Sequence, residues 1–212
     1  MKIFYGLGLL ALAGCTTISH PSLQRLDPSI HQAIFVTPIQ KHPSEAFLSA
    51  WQKQDEAWHR VYSLHAVIGR NGLAAPGQKK EGDGKTPWGV YPLGPAFGYA
   101  TSIHTGLIYR QASTDDFWVD DVNSMEYNQW VHGMPQANSF EHLRRQDNLY
   151  QYAIVIGYNM HPIVKGAGSA IFMHVWRNYK SPTAGCVAIN QRSLRKILHW
   201  LDQQYQPVII LE

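Results

Sequence analysis

Two side chains near the C-terminus could together perform nucleophilic chemistry. His174 sits in the apolar run Ala170-Ile-Phe-Met-His-Val-Trp176, and Cys186 follows it by twelve positions in Thr183-Ala-Gly-Cys-Val-Ala-Ile189. A thiolate attacks carbonyl carbon where a thiol hardly does. An imidazole that takes or shares the thiol proton therefore turns cysteine into a nucleophile at neutral pH. The run predicts a strand carrying His174, and the following residues, with Pro182, predict a loop that can fold back and bring the two side chains together. Gly185 lets a substrate approach the backbone closely. The N–H groups around Gly185 and Cys186 are candidates for an oxyanion hole. The second nitrogen of the histidine needs an orienting acceptor. No Asp or Glu lies between residues 174 and 186, so that acceptor is a remote group or a backbone carbonyl. Against this stands the plainer reading of a small buried hydrophobe beside a core histidine.

Compartment bears on the thiol. Residues 1–14 hold one lysine, a short apolar run and small residues, the plan of a secretory signal peptide. The run is too short to span a bilayer. Leu12-Ala-Gly-Cys15 resembles the bacterial lipobox, in which the cysteine is lipidated and becomes the mature N-terminus. Thr16 rather than Asp after it resembles an outer-membrane address. The chain has two cysteines. With Cys15 carrying lipid, Cys186 is left as a lone thiol in an oxidising compartment. The expected location is the cell envelope, as a lipid-anchored periplasmic protein. Residues 15–32, polar and with prolines at 21 and 28, read as a tether.

The remaining chain, 33–212, suits one domain. Eighteen basic against fifteen acidic residues is too even to indicate nucleic acid as a partner. Sparse charge with abundant Trp, Tyr, Gly and Pro predicts a mainly β fold rich in turns. Strands are expected at 32–37, 58–68, 116–121, 152–157, 170–176 and 208–211. Residues 44–55 fit either a helix face or a strand entering a hairpin. Asn190 reads as a helix N-cap, and Leu194, Ile197, Leu198 and Leu201 recur at helical spacing, giving one clear C-terminal helix. Residues 80–93 predict tight turns around a short strand. Gly84-Lys-Thr86 within them lacks the upstream glycine of a phosphate loop and runs into Pro87.

Several blocks together resemble one known family. Thr183-Ala-Gly-Cys186 is similar to the Ser/Thr-His-Gly-Cys signature of the YkuD-type L,D-transpeptidases. Ile68-Gly-Arg-Asn-Gly-Leu73, Glu81-Gly-Asp-Gly-Lys-Thr-Pro87, Phe117-Trp-Val-Asp-Asp121 and Pro162–Ile171 resemble segments of one branch of it. The resemblance covers about residues 60–190. Ala184 replaces the usual histidine before Gly-Cys, Ala188 stands where Arg is common, and the loop from histidine to cysteine is shorter.

The resemblance implies a β-sandwich or barrel with that helix and short insertions, and it implies acyl transfer on peptidoglycan. Cys186 would attack the bond after the diamino acid of a tetrapeptide stem and release D-alanine through a thioester. His174 would move the protons, and the Val175 carbonyl would orient it. An amine acceptor gives a 3→3 cross-link or a protein anchor. Arg177, Lys180 and Thr183 are expected to meet the anionic stem, with Trp118, Asp120 and Asp121 as candidate cleft residues. No metal or organic cofactor is required, and the eleven histidines show no zinc-ligand spacing. Two rivals remain open: an L,D-carboxypeptidase that uses water as acceptor, and a non-catalytic peptidoglycan-binding lipoprotein.

Overall fold

The computed structural model describes residues 20–212. The signal segment 1–14, Cys15 and Thr16 lie outside the described residues. Twelve strands and one α-helix follow in chain order: β1 (Gln32–Ile39), β2 (His42–Gln54), β3 (Ala57–Val67), β4 (Gly89–Gly98), β5 (Tyr109–Gln111), β6 (Asp116–Val119), β7 (Trp130–His132), β8 (Phe140–His142), β9 (Tyr152–Ile156), β10 (Phe172–Val175), β11 (Val187–Ile189), α1 (Gln191–Trp200) and β12 (Val208–Leu211). Nine strands form one sheet in the order β12-β1-β2-β3-β11-β10-β9-β4-β5, and β12 also pairs with β4. That extra pairing closes eight strands into a barrel. A smaller sheet, β7-β6-β8, stands apart from it. The mainly β architecture with one C-terminal helix is the one the composition and spacing predict.

The ambiguous stretch 44–55 is strand. It lies within β2, paired antiparallel with both β1 and β3. Its apolar residues alternate rather than recur every three or four, with Ala46, Leu48 and Ala50 fully buried. The turn-rich stretch holds a longer strand than expected. β4 tolerates Pro95 because its pairing with β9 shifts register between Leu93 and Ala96, so no ladder hydrogen bond is asked of it. The strand expected at 116–121 ends at Val119, and Asp121 instead accepts from the Asn123 and Asn138 N–H groups in the turns that follow.

Strand alternation sorts the apolar side chains into three cores. One fills the barrel, where Met173, Val175, Val187 and Ile189 meet Leu194, Ile197 and Leu198 of α1. A second lies outside β9 and β10, where Phe97, Trp118, Tyr150 and Phe172 pack with Cys186. A third joins Phe35, Trp51 and Ile210 to Leu23, with Leu26 and Ile30 against them. Part of the segment expected as a tether is therefore docked. Leu23 is 2% exposed, because its apolar neighbours cover the outer wall of β1. The N-cap is formed as the sequence predicts, with Asn190 Oδ1 accepting from the Ser193 N–H at 2.8 Å.

The small sheet is fastened by a buried carboxylate. Asp116 accepts from Ser113 N (2.8 Å), Ser113 Oγ (2.7 Å), Trp130 Nε1 (2.7 Å) and Arg110 (3.0 Å). Burial alone would raise its pKa, but these donors outweigh it and hold the carboxyl well below the usual range.

Candidate active site

β10 and β11 run parallel with His174 opposite Ala188 and Met173 opposite Val187. Because side chains alternate, Phe172 and His174 leave the barrel wall on the side away from α1. Cys186, one step before β11, joins them there. Both His174 and Cys186 are nearly covered, at 6% and 7% exposure. They line one pocket of about 330 Å³ together with Glu141, Arg145, Tyr150 and Thr183. That lies within the lower range of small-molecule sites. No hydrogen bond links the imidazole to the sulfur.

The cysteine is held by backbone. Its thiol donates to the Ala170 carbonyl at 3.3 Å and accepts from the Phe172 N–H at 3.4 Å. Burial pushes the thiol up to about 12, and the nearby Glu141 carboxyl adds to the effect, while the Phe172 N–H pulls the other way. His174 Nδ1 lies 2.8 Å from the Val175 carbonyl oxygen, the orienting contact that the resemblance implied. That contact makes Nδ1 the donor and leaves Nε2, which has no hydrogen bond among the described residues, as the basic nitrogen. Burial lowers the imidazole to about 4, more than the Val175 contact restores. The resting pair at neutral pH is therefore thiol and neutral imidazole, with the proton still to be moved.

The glycine-rich blocks explain why the loop closes on this geometry. Thr183 N–H donates to the Ile68 carbonyl and the Arg70 N–H donates to the Thr183 carbonyl, both at 2.9 Å. Thr183 Oγ1 donates to the Cys186 carbonyl at 2.6 Å and accepts from the Gly185 N–H at 3.1 Å. A Cβ on Gly69 would stand 2.4 Å from the Gly84 oxygen, and one on Gly185 would stand 3.0 Å from the Lys85 oxygen. The two segments therefore pass too closely for side chains. Thr86 Oγ1 accepts from the Gly69 N–H at 2.9 Å and completes the platform beneath the nucleophile position.

The expected site residues fare differently. The Gly185 N–H is committed to Thr183, so it is not free for an oxyanion. The Cys186 N–H makes no hydrogen bond among the described residues and is the open donor. Thr183 and Arg177 line the pocket, though Arg177 shares Asp147 with Arg145, at 3.3 Å and 2.8 Å. Lys180 does not line it and sits 5.4 Å over the exposed Tyr179 ring. Asp120 is outside it as well, with one carboxylate oxygen buried and unpartnered.

Trp118 is core, not cleft. At 3% exposure it packs edge-on to Phe172 at 5.0 Å, because β6 turns its apolar face toward the barrel. Its Nε1 donates to Asn128 Oδ1 at 2.9 Å, and that same oxygen accepts from the Ala170 N–H at 3.1 Å. Ala170 has a φ of +52°, a conformation alanine rarely adopts. Asn128 thus fixes the carbonyl that receives the thiol. Asn128→Ala is expected to leave these two buried N–H groups unpaired and to cost about 2–4 kcal/mol, read as a lower midpoint in chemical denaturation.

Sequence reasoning missed the wall opposite Cys186. The Tyr150 hydroxyl donates to the Glu141 carboxylate, and the Tyr150 ring meets the His174 ring at 5.1 Å, nearly edge-on. Burial raises Glu141 above the usual carboxylate range, against the pull of Tyr150. Arg145 stands 5.1 Å over the Tyr150 ring. Among the described residues no group of three His, Cys, Asp or Glu side chains is placed to hold a metal ion.

No curated protein matches the chain. A solved structure titled "Structure of Bdellovibrio bacteriovorus Bd1075" is similar at 15% identity over 86% of this chain, with a TM-score of 0.47. The chain spans about half of that protein, 48% of its length. The family model described as the L,D-transpeptidase catalytic domain, YkuD, matches residues 39–210, from the end of β1 into β12. The match takes in His174, Cys186 and the glycine-rich blocks, and the chain belongs to the YkuD family of L,D-transpeptidase catalytic domains.

Proposed function

We propose that this chain is a cysteine-dependent peptidoglycan L,D-transpeptidase. The carrying observation is that Cys186 and His174 open onto one pocket while Val175 fixes the imidazole with Nε2 available. The stem carbonyl between the diamino acid and D-alanine enters that pocket. His174 Nε2 takes the thiol proton as sulfur bonds to carbon, so the thiolate never stands free in a buried site. The Cys186 N–H steadies the developing oxyanion. Collapse breaks the C–N bond, His174 returns the proton to the leaving D-alanine amine, and the acyl group remains on Cys186 as a thioester. An incoming amine attacks that thioester, losing its proton to His174 and displacing the sulfur as the thiol.

The paired cations at the pocket rim suit the stem carboxylates. Arg145 and Arg177 share a single Asp147, so their guanidinium groups keep N–H donors to offer a stem carboxylate. Neither alanine departure removes a group this mechanism uses, and Ala184 and Ala188 both line the pocket. We further propose that Cys15 is lipidated and anchors the protein in the cell envelope, at the outer membrane.

Intact-protein mass spectrometry with a disaccharide-tetrapeptide tests the reaction. A thioester adduct accompanied by released D-alanine is expected. Adding a second stem then yields the cross-linked dimer, whereas hydrolysis alone identifies a carboxypeptidase. Folded protein with a reduced thiol that gives no adduct and no D-alanine would point to a binding module.

A further inference from the structure

The exposed face of α1 borders a second and larger cavity, about 730 Å³. Leu194, Ile197 and Leu198 turn into the barrel, which leaves Arg192, Arg195, Lys196 and His199 at i, i+3, i+4 and i+7 on the outward side. Tyr62 of β3 and Tyr152 of β9 line the cavity. The Arg195 guanidinium stands 5.9 Å over the Tyr152 ring. The imidazoles of His104 and His199 stack at 4.1 Å and 21° to close one wall. No Asp or Glu lines the cavity, and among the described residues none of its three cations pairs with a carboxylate.

This is a different site from the cysteine pocket. Tyr152 belongs to the core inside the barrel, while His174 and Cys186 face the core outside it. The two cavities share no lining residue. Three unpaired cations held on one rigid helix face repel one another, so a multiply charged anion is the ligand that relieves them. Tyrosines and a hydroxyl- and imidazole-bearing wall, in a cavity within the size range of ligand sites, add ring contacts and hydrogen bonds for a polar ring.

We propose that this cavity binds an acidic saccharide, its ring against Tyr62 and Tyr152 and its carboxylate or phosphate on Arg192, Arg195 and Lys196. The inference does not depend on the acyl-transfer reading. The acid group has two sources, the carboxylates of a wall fragment or the phosphates of a phosphorylated sugar.

Calorimetric titration of the full chain in detergent, in a Cys186→Ala background that blocks turnover, tests it. The probes are a disaccharide-tetrapeptide, a glucosamine disaccharide bisphosphate and the same disaccharide without phosphate. One acidic probe is expected to bind one-to-one and at least tenfold more tightly than the neutral disaccharide. The charge-reversed Arg192→Glu/Lys196→Glu protein should lose at least tenfold in that affinity. These side chains are exposed, so its thermal midpoint and, with Cys186 restored, its D-alanine release from low-affinity small substrates should stay within twofold of the parent. Failure of both acidic probes to bind, or binding that the reversal leaves unchanged, overturns the proposal. A wall fragment that binds unchanged in the reversed protein assigns its binding to the cysteine pocket instead.

Discussion

Cys186→Ala is expected to lower D-alanine release from a tetrapeptide stem by about 10³-fold or more and to abolish the covalent adduct. Two other hydroxyls that line the pocket are already committed. The Thr183 hydroxyl is spent on the Cys186 carbonyl, and the Tyr150 hydroxyl is spent on Glu141. Serine would not rescue the function either. A hydroxyl is a far weaker nucleophile than a thiol at neutral pH, and the same burial that pushes the thiol up to about 12 would oppose an alkoxide still more. The fold should tolerate the change, because the sulfur's polar contacts are long, at 3.3 Å and 3.4 Å, and alanine removes only a small buried volume. The comparison to make is the initial rate of D-alanine release beside the unfolding midpoint. Loss of rate with a midpoint within a few degrees assigns the effect to chemistry, whereas loss of both would make Cys186 a structural residue.

The His174–Cys186 pair was legible because its signals are local. A histidine at a strand position, a lone cysteine after glycine, and glycine-rich blocks elsewhere can all be read along the chain. The helix was legible for the same reason, through Asn190 and the spacing of Leu194, Ile197 and Leu198. Other features depend on pairings between distant segments. Residues 44–55 could not be decided until β1 and β3 were seen on either side. The length of β4 was hidden by prolines, of which Pro95 sits where the register shifts. Trp118 looked like a cleft residue because aromatic side chains serve both purposes. Its burial depends on how the small sheet leans on Phe172, and Asn128, which makes the tryptophan matter to the site, carries no motif.

The wall formed by Glu141, Arg145 and Tyr150 was illegible for a sharper reason. Its residues come from a three-residue strand and the loop after it, with no periodicity to notice. Yet this wall adds to the burial that dominates the electrostatics of the site. It brings an acid beside the thiol and a cation beside the acid. The ring between them packs on the imidazole. The signature residues name the candidate nucleophile and base; part of the surroundings that bear on their protonation lies elsewhere in the chain.

His174→Gln is the second large effect, about 10²–10⁴-fold in D-alanine release, and pH separates its causes. The imidazole must be neutral to accept the thiol proton. Its lowered value of about 4 therefore predicts that the parent rate holds as pH falls through 6.5 and drops only near pH 4. A histidine at its ordinary 6.5 would lose rate well before that. Stability carries the same signature with a definite sign. Between pH 6.5 and 4 the unfolded chain binds a proton at this residue that the folded chain refuses, so stability falls as pH falls across that window. The full difference is about 3 kcal/mol, because every tenfold loss of proton affinity on folding is worth about 1.4 kcal/mol. Cys186 acts at the other end. The folded thiol stays protonated from 9 to about 12 while the unfolded one ionises, so stability also declines as pH rises above 9. Denaturation midpoints from pH 4 to 7 should slope upward in the parent and be flatter in His174→Gln. An equal slope in both proteins would mean that folding does not lower the imidazole's proton affinity.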